Sequence, residues 1–177
     1  MPHELRAATP EDLPALTRLI DASVRELSRG FYTAAQIESA LHYVFGPDTR
    51  LIADGTYYVL PAGEGLAAAG GWSRRLTLFG GDQMKGKEDP LLDPATEPAR
   101  IRAFYVHPAH ARKGIGRMLL EHCSAAARAA GFLRLELMST MPGVPLYSTM
   151  GFTPIEPTSL TLPDGVKLPM VRMGKAL

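Results

Sequence analysis

The sequence predicts an α/β fold of the α+β kind, built on a mixed central sheet. Three observations carry that expectation. The strand-like run Ile101–Val106 leads through a glycine turn into a helix-like run, Met118–Ala130, and then into a second strand, Leu133–Met138. A strand, a crossover helix and a strand make two parallel neighbours. Upstream, Thr56–Leu60 and Leu66–Arg74 flank Gly63-Glu64-Gly65 and read as an antiparallel hairpin. Two capped helical patterns precede that hairpin, so helices and strands are both plentiful and both strand pairings occur.

Each element follows from local chemistry. Leu5–Ala8 is a short strand. Thr9-Pro10-Glu11-Asp12 starts a helix, with Thr9 as cap, Pro10 at the first helical position and acids in the first turn. Leu13, Leu16, Ile20, Val24 and Leu27 continue it at helical spacing, and Gly30 ends it. Thr33-Ala34-Ala35-Gln36 is a capping box for a second helix with Ile37, Ala40, Leu41 and Val44 on its buried face, stopped by Gly46-Pro47. Residues 75–99 are rich in proline, glycine and charge and show no period, which predicts a loop or a partly ordered lid. After Met138, Pro142–Met150 reads as a short helix closed by Gly151. Phe152–Ile155 and Val166–Met173 read as closing strands around the turn Pro163-Asp164-Gly165. No repeat or linker divides the chain, so residues 1–177 are expected to form one domain with an insertion at 75–99.

Composition narrows the function. At 46% hydrophobic residues the chain can build a core, and a formal charge of +1 argues against a broad nucleic-acid or membrane surface. The single cysteine, Cys123, lies on the apolar stripe Leu119, Cys123, Ala126, Ala130 and reads as a core thiol. No His, Cys and carboxylate set has metal-ligand spacing. The first residues form no apolar signal region and no run approaches membrane length, so a cytoplasmic protein is expected.

Arg112-Lys113-Gly114-Ile115-Gly116-Arg117 is the most informative stretch. Glycines at a strand-to-helix turn let the backbone approach a ligand closely, and the free N–H groups of a new helix favour an anion. The combination is a phosphate cradle. Two other phosphate motifs compete with it. Gly81–Glu88 has P-loop glycine and lysine spacing, but Glu88 stands where a magnesium-binding hydroxyl belongs, and Asp89-Pro90 follows instead of a helix. Gly114-Ile115-Gly116 with Glu136 downstream resembles a dinucleotide fingerprint. There Leu119 replaces the third glycine, and too little chain follows for a doubly wound half.

More residues are taken in by a third comparison. Val106-His107-Pro108, followed by Ala111 to Leu120, resembles motif A of the GCN5-related N-acetyltransferases, the GNAT family. Leu146-Tyr147-Ser148-Thr149-Met150-Gly151-Phe152 resembles that family's late Leu-Tyr-x-x-x-Gly-Phe helix, and the element order also matches. One position departs: the family's Gln/Arg falls on Ala111, with the arginine shifted to Arg112.

The resemblance implies a GNAT acyl-CoA N-acyltransferase fold, with a mixed central sheet flanked by helices on both faces. It implies that acetyl-CoA (coenzyme A) is held by its pyrophosphate at the backbone of Arg112, Lys113, Gly114, Ile115, Gly116 and Arg117. The strands of Val106 and Met138 are expected to splay, letting the pantetheine arm pair with main-chain groups of Phe104, Tyr105 and Val106. A small-molecule or peptide amine would then attack the thioester directly. Tyr147, protonated at neutral pH, is the expected catalytic acid for the departing thiolate.

The base stays open among Glu136, Glu97, Asp89, Asp93, His107 and a water chain. Glu136 is also a candidate to pair with Arg134 or Arg102, and His107 to pack at a strand end. Phe31, Tyr32, Trp72, Arg74 and Arg75 are candidate walls of the acceptor site, with the 75–99 segment as its cover. The family's habit extends to homodimers. Two alternatives stand beside the enzyme: a non-catalytic acyl-CoA-binding sensor or docking module of the same fold, and a dinucleotide-binding protein.

Overall fold

The computed structural model describes residues 4–84, 86 and 88–177. Strands β1 (Arg6–Ala7), β2 (Tyr57–Ala62), β3 (Gly65–Ser73), β4 (Ala99–Val106), β5 (Arg134–Thr140), β6 (Thr153–Thr161) and β7 (Lys167–Ala176) form one sheet in the order β1-β2-β3-β4-β5-β7-β6. Every neighbouring pair is antiparallel except β4 and β5, which run parallel on either side of the crossover helix. The helices are α1 (Leu13–Leu27), α2 (Ala34–Tyr43), α3 (Thr49–Asp54), α4 (Ile115–Ala129) and α5 (Val144–Thr149).

Both sheet faces are covered. Leu16 and Leu19 of α1 bury against Tyr57, Val59, Leu66 and Ala69. On the other face Leu119 of α4 packs on Leu60, Ala67 and Ala68, while Leu120, Cys123 and Ala127 join Trp72, Phe132, Leu135 and Leu137. Cys123 is a fully buried free thiol whose ionisation is pushed up by burial, as its place on the apolar stripe predicts.

The capping box at α2 forms in full: Gln36 N donates to Thr33 Oγ1 at 3.1 Å and Thr33 N donates to Gln36 Oε1 at 2.9 Å. At the first helix, Pro10–Asp12 is a 3-10 turn that leads into α1. There the Asp12 carboxylate accepts from Thr9 N at 2.8 Å and pairs with Arg6 at 2.8 Å. Helix α3 is not anticipated by the periodicity, because six residues are too few to show a period. Its ends are nonetheless marked: Leu51 N donates to Asp48 Oδ1 at 3.1 Å, and Gly55 closes it at φ +73°. The last hairpin is longer than expected. Pro154 and Pro157 suggest an end to the strand near Ile155, but β6 is the sheet edge, where a missing N–H breaks no ladder.

The segment between β3 and β4 is tied down at several points. Leu92 N donates to Arg74 O and Leu76 N to Pro90 O, closing its base, and Arg75 bonds Asp54 at 2.7 Å. Farther along, Gly81 N donates to Val44 O at 2.8 Å, joining this strap to the loop that links α2 and α3.

Candidate active site

The site begins where the sheet comes apart. β4 and β5 pair only at Ala99/Leu135 and Arg100/Glu136, although β4 runs on to Val106 and β5 to Thr140. A bulge accompanies the separation. Register shifts between Ala69 and Gly71, so that Ala103 and Phe104 together oppose Gly70, and Ala103 sits at φ +56°. A side chain at Gly70 would meet the Phe104 ring at 2.9 Å, so glycine there lets the bulge lie flat. On its other side the end of β4 stays bonded to β3, through Val106/Ala68 and Tyr105/Ala69. The edge of Phe104, Tyr105 and Val106 that faces β5 thus borders an open gap, as the expected splay requires.

Past β4, His107 Nδ1 accepts from Ala109 N at 3.1 Å and shapes a 3-10 turn, Pro108–His110. His107 is therefore a turn-former at a strand end. The chain then reverses through Arg112 at φ +61° and Gly114 at φ +81°, and α4 opens at Ile115. The first N–H groups of an α-helix have no intrahelical partner. Here they are those of Ile115, Gly116 and Arg117, with Met118 N the first to bond back, to Gly114 O at 3.1 Å, and Ile115 packs against Phe104 and Val106 at the end of β4. Arg112, Lys113 and Arg117 are exposed around this turn, and a Cβ on Gly114 would meet nothing within 4 Å. The Lys113 ammonium donates to Ala109 O at 3.1 Å, so part of its reach is spent within the turn. Gly116 allows close packing of α4 on α5, since a Cβ there would stand 3.0 Å from Leu146.

Across the gap stands Tyr147 on α5. Its ring packs edge-on to Phe104 (6.4 Å between centroids) and Phe152 (5.8 Å). Its hydroxyl makes no hydrogen bond among the described residues. Burial, with a smaller contribution from Cys123, holds its ionisation well above the ordinary phenol value, so it carries its proton at neutral pH. Tyr105 is raised in the same way, by burial first and by Tyr147 second.

A cavity of about 70 Å³ occupies the gap. β4 contributes Ile101 through Tyr105, β5 contributes Leu137, Met138 and Thr140, and Tyr147 faces in from α5. Its remaining wall comes from Phe45, Gly46 and the strap residues Leu78–Gly81. Arg102 holds that strap. It donates to Gly80 O at 2.5 Å and to Thr77 O at 3.4 Å, and its guanidinium is paired with Asp48 at 2.8 Å, both side chains about 1% exposed.

Several candidates from the sequence fall elsewhere. Glu136 accepts from Arg100 at 3.2 Å and from Arg172 at 2.6 Å and does not line the cavity, while Arg134 bonds Thr96 O and Arg102 pairs with Asp48. Asp89 is buried against Thr77 N, Glu97 accepts from Asp93 N, and Asp93 caps Ala95 N. None of the expected acceptor walls lines the cavity. Trp72 is in the core against Phe132, with Arg74 over its ring; Arg75 is held by Asp54; Phe31 is exposed. Tyr32 is a brace, its hydroxyl donating to Pro169 O at 2.6 Å and accepting from Met141 N at 3.0 Å. Phe45, Phe79 and Arg102 are the wall residues that sequence reasoning missed. Phe45 is hidden by the helix stop behind it and Phe79 by the aperiodic segment around it. In the P-loop reading of Gly81–Glu88, Lys85 and Lys87 lie outside the described residues.

Residues 84–154 match a family model described as an acetyltransferase (GNAT) domain. The fold is similar to a GCN5-related N-acetyltransferase from Rhodopseudomonas palustris (TM-score 0.72, 19% identity, 100% of this chain and 97% of that one). It is also similar to the PaiA N-acetyltransferase of Thermoplasma acidophilum in complex with coenzyme A (0.66, 18%, 100% of each chain). A third similar structure is the ribosomal-protein-alanine N-acetyltransferase of Brucella melitensis (0.63, 18%, 98% of this chain and 99% of that one). No curated protein matches the sequence.

Proposed function

We propose that this chain transfers an acetyl group from acetyl-CoA to a primary amine by direct attack on the thioester, a reading supported by the match of residues 84–154 to an acetyltransferase (GNAT) domain model and by the similarity of its fold to acetyltransferase structures. One observation carries this reading. The parting of β4 from β5 and the protonated phenol of Tyr147 border one cavity, and the start of α4, with its unpartnered N–H groups, packs beside it, Ile115 clustering with Phe104 and Val106 at the end of β4. A structurally similar protein bound to coenzyme A supports the choice of cofactor.

The residues fit that cofactor. The amides of Ile115, Gly116 and Arg117 are free, the space beside Gly114 is open, and the edge of β4 from Phe104 to Val106 offers main-chain groups to an extended amide-bearing arm. Arg112 and Arg117 supply positive charge at the same turn, so the side chain missing at Ala111 is not required. Bound acetyl-CoA would supply an activated acetyl group.

The chain's own groups then have three tasks. The cradle and the β4 edge orient. The apolar walls exclude water. Tyr147 Oη holds a proton toward the position of the leaving sulfur, with its ring fixed between Phe104 and Phe152. With its ionisation raised above about 10, the phenol does not give up its proton permanently to a thiolate near 8.5. It acts as a hydrogen-bond donor while the bond breaks, and the proton released by the attacking nitrogen restores the thiol. That no carboxylate lines the cavity among the described residues supports an amine arriving in its neutral form. Tyr147 also favours an enzyme over a silent acyl-CoA-binding module. Release of free thiol from acetyl-CoA across a panel of amines tests the proposal. Amine-dependent release is expected, and binding without release from any amine would leave the sensor reading instead.

A further inference from the structure

The walls of the cavity carry information about the acceptor. On the face covered by α1 and α2, Phe45, Phe79, Tyr105 and Met138 belong to one apolar cluster with Ile20, Val24 and Ile37. Four of these, Phe45, Phe79, Tyr105 and Met138, line the cavity itself. Among the described lining residues there is no Asp, Glu or Lys, and the charged side chain present, Arg102, is neutralised by Asp48. The strap is stitched to the α2–α3 loop by Gly81 N to Val44 O and held from below by Arg102, so these aromatic walls are fixed in place.

From this we infer that the acceptor is a small amine with an apolar, uncharged body, in which the amino group is the sole ionisable centre, and that Phe45 and Phe79 select it. The inference rests on the acetyltransferase reading. Its physical basis is asymmetric. A second ammonium, as in a diamine, would have to leave water for a wall with no carboxylate to receive it. A carboxylate, as in an amino acid, would find no free cation among the described lining residues. An apolar body loses nothing by the transfer, and the same low-dielectric wall favours the neutral, nucleophilic form of the amine.

Matched pairs of acceptors test it with the wild-type protein: pentylamine against cadaverine, and phenethylamine against phenylalanine, following thiol release at one pH. Acetyl-CoA binding is measured separately by calorimetry. The expected result is a kcat/KM higher for the uncharged body in each pair by on the order of 10²-fold, since leaving a polar group unpaired in a site discriminates strongly. Phe79→Glu, compared as a ratio at saturating acetyl-CoA, should narrow the pentylamine-to-cadaverine ratio at least about tenfold, and Phe79→Leu should keep the wild-type ratio. Equal or better turnover of the charged member overturns the inference while leaving the acetyltransferase reading intact. So does thiol release with neither pair when acetyl-CoA binds. Failure to bind acetyl-CoA would remove the reading itself, and the inference with it.

Discussion

Replacing Arg102 with methionine should show how strongly the site depends on one buried ion pair. The guanidinium and the Asp48 carboxylate meet at 2.8 Å with each side chain about 1% exposed. Arg102 also donates to the carbonyls of Thr77 and Gly80. Methionine fills the space but leaves Asp48 as a buried charge without that partner, and removing one member of such a pair costs about 3–5 kcal/mol. Against a typical total stability of about 5–15 kcal/mol this is a large fraction. At roughly 2–4 °C per kcal/mol for a chain of this size, the melting temperature should fall by about 6–20 °C. The assay is urea unfolding followed by circular dichroism, run beside the double variant Arg102→Met, Asp48→Asn. Asparagine can still accept from Leu51 N and cap α3, so the double variant should recover most of the loss. A single-variant loss below about 1 kcal/mol, or a double variant as unstable as the two single changes summed, would refute the reasoning.

Three further outcomes follow from individual residues. Gly114→Ala has open space for its methyl group but must hold φ +81°, so it should lose about 1 kcal/mol from backbone strain alone and weaken acetyl-CoA binding; unfolding curves and calorimetry check both. Tyr147→Phe keeps the ring between Phe104 and Phe152. It should lower turnover by about 10²–10³-fold, the usual cost of losing one donor to a developing charge, with acetyl-CoA affinity near that of the wild type, and unchanged steady-state turnover would remove Tyr147 from the chemistry. Asp12→Asn loses the bond to Arg6 and weakens the cap on Thr9 N, costing about 1 kcal/mol at pH 7. Since the Arg6 bond chiefly holds the Asp12 carboxyl below its ordinary value, its contribution is complete above about pH 4 and fades as pH falls through the lowered native value. Thermal melts of the two proteins should therefore converge in acid.

Much of this molecule can be read from its residues, and the parts that cannot have physical causes. Gly114 and Gly116 announce the turn into α4 because positive φ and close helix packing both restrict residue choice. Thr33 and Gln36 announce α2 because their side chains satisfy main-chain groups that have no partner within the helix. The bulge in β4 is silent, since Ala103 takes the strained conformation that would ordinarily point to glycine, and the glycine that permits it, Gly70, lies on the neighbouring strand. The cavity wall is silent for another reason. Phe45 and Phe79 come from loops far apart in sequence, joined by main-chain bonds from Gly81 to Val44 and from Asp82 to Pro47, by Thr49 N donating to the Asp82 carboxylate, and by the grip of Arg102. Periodicity reports on helices and strands; it says nothing about which loop residues a buried arginine draws together. Glu136 shows the converse case. It sits suggestively in a strand, but its charge is already shared between Arg100 and Arg172.

Titration of the purified protein with acetyl-CoA in a calorimeter bears most directly on the account, with NADH as the control. Saturable heat at one site per chain is expected for acetyl-CoA, weakened in Gly114→Ala, and none for NADH. Heat with NADH alone, or with neither ligand on folded protein, would contradict it.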